Sequence, residues 1–349
     1  MTDEVEIHTN LDSLEADWRE LAKRVSAPPF LWPGWVAAWW NSFGTSELTT
    51  LSARQGDRLV AVMPLVRRGP VIASPTNWHS PIYGLVAEGH GADAVTRALF
   101  ESAPRRVSLS FLMTSGSGLN EIRAACTAAG YRLAERTIMR SPYLKVGGTW
   151  DEYWSGRSRN LRKGIRRLRN RLEDIGEVSI EVTDGRAGLE QLLEKVFRIE
   201  ASGWKGEKGT AILSQPETRR FYEQVAAWAA AEGILKVALL RVNGRAVAMH
   251  LALESDGRYY MLKTGYDVAF KQAGPGRLLD YEMASRAFSE GLKSFEFLGA
   301  DEPYKLDWAN GVHERVVLQA FAPSAAGSLE WLVQSRGRAI ARRILARRR

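Results

Sequence analysis

Three stretches of this sequence place ligand-binding or proton-transferring residue types at spacings that chemistry can use. The first is KQAGPGRLLD, residues 271–280. Gly274 and Gly276 let a backbone approach a ligand closely, and Pro275 fixes φ while removing one donor. A helix beginning near Arg277 would offer unpaired N–H groups and a positive dipole end, which favour phosphate. Lys271 and Arg277 add formal charge on either side. The stretch therefore reads as a phosphate cradle or as a plain turn opening a helix. The second is GADEPYK, residues 299–305, where Asp301, Glu302, Tyr304 and Lys305 bring acid, phenol and amine into one loop. Such a mix suits proton transfer; the alternative is a polar surface loop. The third is a pair of single residues. His250 sits in a predicted strand among Val247, Met249 and Leu251, and Glu200 ends a predicted helix before SGWKG.

The formal charge of +8 is concentrated in RSRNLRKGIRRLRNR, residues 157–171, and in the closing SRGRAIARRILARRR. Arg159, Arg162, Arg166 and Arg169 recur on one helical face, a solvated basic surface or a grip for an anionic polymer. No recognised nucleic-acid module accompanies them, so nucleic acid is not expected as a partner. Ile340, Ile344 and Leu345 fall on one side of the C-terminal segment. This predicts a short amphipathic helix over 326–349 able to lie on an anionic membrane surface, or else a basic tail. The single cysteine, Cys126, excludes a disulfide framework and a cysteine-based zinc site. No metal is expected. The acidic, polar opening and the lack of about 18 unbroken apolar residues predict a cytoplasmic protein, held at the inner membrane surface if the tail binds lipid.

The elements that must position these residues form a mixed α/β pattern. LDSLEADWRELAKRV has helical periodicity, and FLWPGWVAAWWNSF places Trp32, Trp35, Trp39 and Trp40 at core spacing. Strands around a Gly-Asp turn, a turn-rich stretch, RRVSLSFL, a helix closed by Gly130 and YRLAERTIMRSPYLKV complete a first unit. The basic helix and two further helices follow. ILKVALLRV, RAVAMHLALE and RYYMLKTGYD then form a three-strand antiparallel meander, turned at Asn243-Gly244 and at Ser255-Asp256-Gly257. The glycine-rich stretch, a helix, KSFEFLG, a long loop ADEPYKLDWANG and a last strand HERVVLQAF come after it.

A meander, a glycine-rich turn, a helix and a strand in this order resemble the GNAT acyltransferases, whose turn holds the pyrophosphate of coenzyme A. SPYLKV with the basic helix, IEASGWKGEKG, FEFLGADEPYKLDW and FLWPGWVAAWW together resemble the CelD/BcsL branch, related to the FemAB peptidyltransferases. The resemblance covers most of residues 30–320. It implies two GNAT-like domains in tandem, each a mixed, mostly antiparallel sheet flanked by helices. The boundaries are 1–147, without a phosphate turn and hence without cofactor, 148–325, carrying the activity, and the tail. It implies acetyl-CoA or a longer acyl-CoA as donor, bound by Leu262, Lys263 and Thr264 through backbone groups and by Lys271, Gln272, Gly274, Gly276 and Arg277. Lys271 departs from the glutamine or arginine usual at its place. The acceptor implied is a small-molecule, sugar or peptide amine lying between the domains. Asp301 would accept a proton or hold the amine, Tyr304 would protonate the thiolate, and Lys305 would bind the carbonyl oxygen or an anionic group. His250 and Glu200 would line the cleft. An acyl carrier protein or aminoacyl-tRNA donor and a non-catalytic accessory role in envelope or polysaccharide synthesis are the rival expectations.

Overall fold

The computed structural model describes residues 4–114, 118–202, 209 and 211–334. The chain divides into two compact units, residues 1–139 with 314–349, and residues 140–313. The first contains β1 (Glu4–His8), β2 (Glu47–Gln55), β3 (Arg58–Arg68), β4 (Val71–Ala73), β5 (Val86–Ala87), β6 (Arg106–Met113) and the start of β7 (Arg132–Lys145). The second contains the rest of β7, then β8 (Val178–Thr183), β9 (Leu235–Val242), β10 (Arg245–Ser255), β11 (Arg258–Tyr266) and β12 (Ser294–Glu296). The final strand, β13 (Gly311–Phe321), begins in the second unit and ends in the first. Helices of the first unit are α1 (Glu15–Arg24), α2 (Pro33–Phe43), α3 (Gly91–Glu101) and α4 (Leu119–Ala128). Those of the second are α5 (Trp150–Ser155), α6 (Arg159–Glu173), α7 (Leu189–Ala201), α8 (Pro216–Ala231), α9 (Pro275–Ser289) and α10 (Pro303–Leu306).

In the first unit the strand order is β1-β2-β3-β4-β6-β13, with β5 added to β3, and only β4 and β6 run parallel. Trp32, Trp35 and Trp39 are buried, as their spacing predicts, while Trp40 is half-buried. In the second unit the order is β7-β12-β11-β10-β9-β8, antiparallel except between β11 and β12. The expectation of mixed α/β units with mostly antiparallel sheets holds.

The meander turns where its sequence predicts. Asn243 and Gly244 have φ of 48° and 75°, and Asp256 and Gly257 of 49° and 69°, the paired positive φ of a two-residue hairpin loop. Side-chain alternation along the strands then sets two faces. Tyr259, Met261, Phe295, Phe297 and Leu144 form one core with Leu278, Leu279 and Met283 of α9 and Leu161, Ile165 and Leu172 of α6. Tyr260, Ser294 and Glu296 point to the opposite face, on which α7 and α8 lie.

Several elements escape the periodicity reading. β1 and β8 are short and largely exposed, so their alternation is weak. α10 is a single turn inside what reads as a loop, and β7 is one strand of 14 residues. The compact units also divide the chain differently from the boundaries at 147 and 325. Residues from Glu314 join the first unit because β13 pairs with β6 from Arg315–Met113 to Phe321–Arg106. The segment Trp204–Lys208 and the tail from Ser335 lie outside the described residues.

Candidate active site

The site is set by a divergence between two strands of the second unit. β11 and β12 pair at Arg258–Ser294, Tyr259–Phe295 and Tyr260–Glu296 only. β11 then continues to Tyr266, whereas the chain leaving β12 turns away with Leu298 and Gly299 at φ of 53° and 60°. A left-handed leucine is a strained choice, found where neighbours over-determine the backbone. On its other side β11 carries a bulge. Leu251 pairs with Lys263 but Ala252 pairs with Met261, leaving Leu262 as the extra residue. A bulge bends its strand, here just past the last β12 pair. Two parallel strands thus part into a wedge that opens toward their C-terminal ends.

The glycine-rich turn stands at the open end, because β11 leads directly into it. Residues Val268–Ala273 form a 3-10 turn, and Gly274, at φ 60°, is the N-cap of α9. The positive φ disfavours a side chain at Gly274, and a Cβ there would lie 2.8 Å from Leu168 Cδ2, so that leucine would have to move. A Cβ on Gly276 would lie 3.5 Å from Tyr266 Cδ1, beside the end of β11. Lys271, Gln272 and Arg277 are exposed around this turn. The Gln272 carbonyl accepts from Arg171 Nη1 at 3.0 Å, and Arg277 Nη2 donates to Asp307 Oδ2 at 2.7 Å. The basic helix α6 therefore has a structural task. Leu168 fills the space left by Gly274, Arg171 ties the turn, and Arg169 pairs with Glu282 of α9. Arg159, Arg162 and Arg166 remain exposed.

Of the β11 residues named from sequence, Leu262 is the bulge, and Lys263 places its Nζ 5.1 Å from the Tyr222 ring centroid. Thr264 pairs with His250 across β10. These three lie on β11 beyond its last pair with β12, close in sequence to the turn.

The loop after β12 is held by its own residues. Lys305 is buried, and its Nζ donates to Leu298 O at 2.8 Å and Ala300 O at 3.3 Å while pairing with Glu302 Oε2 at 2.5 Å. With two of its three hydrogens on these carbonyls and Glu302 beside it, the buried Lys305 fastens the strained loop. That corrects the ligand-binding role read from its type. Ser141 Oγ donates to Gly299 O at 2.7 Å, and Arg140 pairs with Asp301 at 3.2 Å, so β7 fixes the loop from its other side. Tyr304 is half-buried in α10. Burial first, then the charges of Asp280 and Glu302, raise its phenol above the ordinary value, so it stays protonated at neutral pH.

The remaining candidates are placed elsewhere than expected. His250 is fully buried, with Nε2 3.0 Å from Asp280 Oδ1 and Nδ1 3.5 Å from the Tyr259 hydroxyl. Both nitrogens are engaged in the core beneath α9, and no ligand can reach them. Glu200 is buried too, and its Oε2 accepts from the Ile212 N–H at 2.9 Å. It anchors the chain that follows the undescribed residues 203–208, and α7 meets β11 so closely that only glycine fits at position 265. Asp280, the residue coupling His250 to Tyr304, was missed. Its one signal is a carboxylate inside the apolar face of a predicted helix, LLDYEMA. Among the described residues no group of three or more potential ligands is placed to hold a metal ion.

Comparison with known proteins agrees with this geometry. Residues 159–306 match the family model described as an acetyltransferase (GNAT) domain. No curated protein sequence matches the chain. Among solved structures, FemX superposes with a TM-score of 0.60 at 12% identity, covering 95% of this chain and 99% of its own. A domain (DUF2156) assigned as the C-terminal part of a lysylphosphatidylglycerol synthetase from Agrobacterium fabrum gives 0.54 at 12% identity, covering 92% and 96%. A conserved protein of unknown function from Bacteroides thetaiotaomicron gives 0.54 at 14%, covering 91% and 100%. At these identities the likeness is one of fold.

Proposed function

We propose that the chain is an N-acyltransferase that moves an acyl group from an acyl-CoA thioester to an amine. The observation that carries this reading is the wedge between β11 and β12 opening toward a side-chain-free turn at the start of a 15-residue helix. A strand edge released from its neighbour can pair with an extended amide-containing chain, and the helix start beyond it favours phosphate. The residues present fit coenzyme A. Leu262, Lys263 and Thr264 would run beside the pantetheine arm, and Gly274, Gly276, Lys271 and Arg277 would meet the pyrophosphate. When bound, the thioester supplies an activated carbonyl. The protein's part is to hold that carbonyl at the apex of the wedge, exclude water and manage two protons. Tyr304, a phenol that keeps its proton, donates a hydrogen bond to the departing sulfur. Asp301, partly exposed beside Arg140, is the carboxylate available to an incoming ammonium.

A thermal-shift titration with acetyl-CoA, a long-chain acyl-CoA and charged tRNA tests the donor. A ligand that binds only the folded state at a hundred times its Kd stabilises by about 2.7 kcal/mol. CoA thioesters are therefore expected to raise the Tm by roughly 5–10 °C, at about 2–4 °C per kcal/mol. Stabilisation by tRNA alone would replace this donor with an aminoacyl-tRNA, and stabilisation by neither would leave a non-catalytic scaffold.

A further inference from the structure

We propose that His313, oriented by Glu296, is the base that takes the proton from the amine acceptor; this deepens the acyl-transfer reading above and rests on it. The sequence places His313 inconspicuously in the last predicted strand, next to the hydrophobic run VVLQAF. The structure brings it against the side chain of Glu296, the residue of the last β11–β12 rung.

Glu296 is the final residue of β12 and pairs with Tyr260, the last rung before the strands part. Its side chain lies on the face opposite α9, the same face as Tyr260 and Ser294. The carboxylate is buried yet fully engaged: Oε1 accepts from Ser294 Oγ at 2.6 Å, and Oε2 lies 3.2 Å from His313 Nε2. A carboxylate this close favours the proton on Nε2, which leaves Nδ1 as the acceptor. Among the described residues Nδ1 has no hydrogen-bond partner, and the His313 side chain is 29% exposed. His250, by contrast, has both nitrogens taken and no exposure.

Three elements hold the ring in place. Tyr143 of β7 stacks on it with centroids 4.0 Å apart and planes 11° from parallel. Asn310 accepts from the Lys145 N–H at 2.7 Å and donates to the Lys145 carbonyl at 3.0 Å, pinning the approach of β13 to β7. Position 311 must be glycine, since a Cβ would come within 2.4 Å of the Tyr143 ring. A partly exposed imidazole, stacked, with one nitrogen beside a buried carboxylate and the other open, is the arrangement of a positioned base. Of the five histidines in the chain, His313 alone has it among those described here.

The step balances simply. The ammonium of the acceptor gives one proton to His313 Nδ1, and its nitrogen lone pair attacks the thioester carbonyl. The C–N bond forms and the C–S bond breaks; the attacking nitrogen gives up a second proton, which replaces the one that Tyr304 hands to the thiolate, so the products are amide, thiol and one net proton released from His313 to water. Glu296 touches no substrate and is a positioning residue.

The test uses the full chain and acetyl-CoA. Diethyl pyrocarbonate labelling followed by peptide mass spectrometry is expected to modify His313 and spare His250. Acetyl-CoA should slow labelling of His313 while leaving His90, whose side chain is 97% exposed, unchanged. With an amine that the protein acetylates, His313→Gln should lower kcat by roughly 10²–10⁴-fold, with the KM for acetyl-CoA within about twofold. Glu296→Gln should lower kcat in the same direction with the same unchanged KM. If acetyl-CoA stabilises the protein but does not shield His313, or if His313→Gln keeps full kcat, the inference falls and the donor reading stands. If acetyl-CoA neither stabilises nor shields, both fall together.

Discussion

Gly274 shows how a single position couples packing to a ligand site. Its left-handed φ disfavours any side chain, and a Cβ would also press on Leu168. Gly274→Ala is expected to cost about 1–2 kcal/mol from backbone strain alone, more if Leu168 cannot yield. A matching fall in Tm with weakened CoA binding would support the coupling, and an unchanged Tm would show the turn to be plastic. Lys305 offers a sharper discrimination. Two bonds to loop carbonyls and an ion pair with Glu302 tie it to its own loop; charge-assisted bonds contribute roughly 1.5–3 kcal/mol each, and the half-exposed Glu302 adds less than about 1 kcal/mol. Lys305→Met should therefore lower the denaturation midpoint strongly. A variant that keeps wild-type stability but loses transfer would instead return Lys305 to the substrate. The residue type was legible in the sequence; its partners were not, because backbone carbonyls a few residues away leave no trace in composition.

At the scale of elements, what positions the site is a strand that ends early beside one that continues. The meander, the turn and the helix could be read from Asn243-Gly244, Asp256-Gly257 and the G-P-G stretch, since each requires a backbone conformation that few residues adopt. The shortness of β12 and the bulge at Leu262 could not, because strand pairing is non-local and KSFEFLG looks like any buried strand. Nor could alternation say that Glu296 meets a partly exposed histidine while His250 is sealed beneath α9, as register alone decides that. The same packing makes a spectroscopic prediction. Burial raises the phenols of Tyr222 on α8, Tyr259 and Tyr260 on β11 and Tyr304 on α10 above the ordinary value near 10. A raised phenol favours the fold below the unfolded pKa and loses that advantage as pH rises beyond it. Absorbance near 295 nm should therefore show the accessible tyrosines ionising first, and these four only in a cooperative step with alkaline unfolding. A single smooth titration of all tyrosines near pH 10 would contradict the packing described for α8, β11 and α10.

For the whole molecule, two compact units of mixed α/β structure were expected, and two are present. Their limits were not legible, because β13 follows the site-bearing unit in sequence but pairs with β6 of the other. Among the described residues no helix is long and apolar enough to cross a membrane. The family match, residues 159–306, lies within the second unit and contains the wedge and the turn but stops short of His313. On the proposed function, this unit binds a CoA thioester through the Gly274 turn. Calorimetric titration of acetyl-CoA into the wild-type chain and into Arg277→Ala tests it most directly. One site per chain, weakened about tenfold in the variant by loss of one charge-assisted contact worth about 1.4 kcal/mol, is the predicted result. Absence of binding to the wild type, or equal affinity in both proteins, would contradict it.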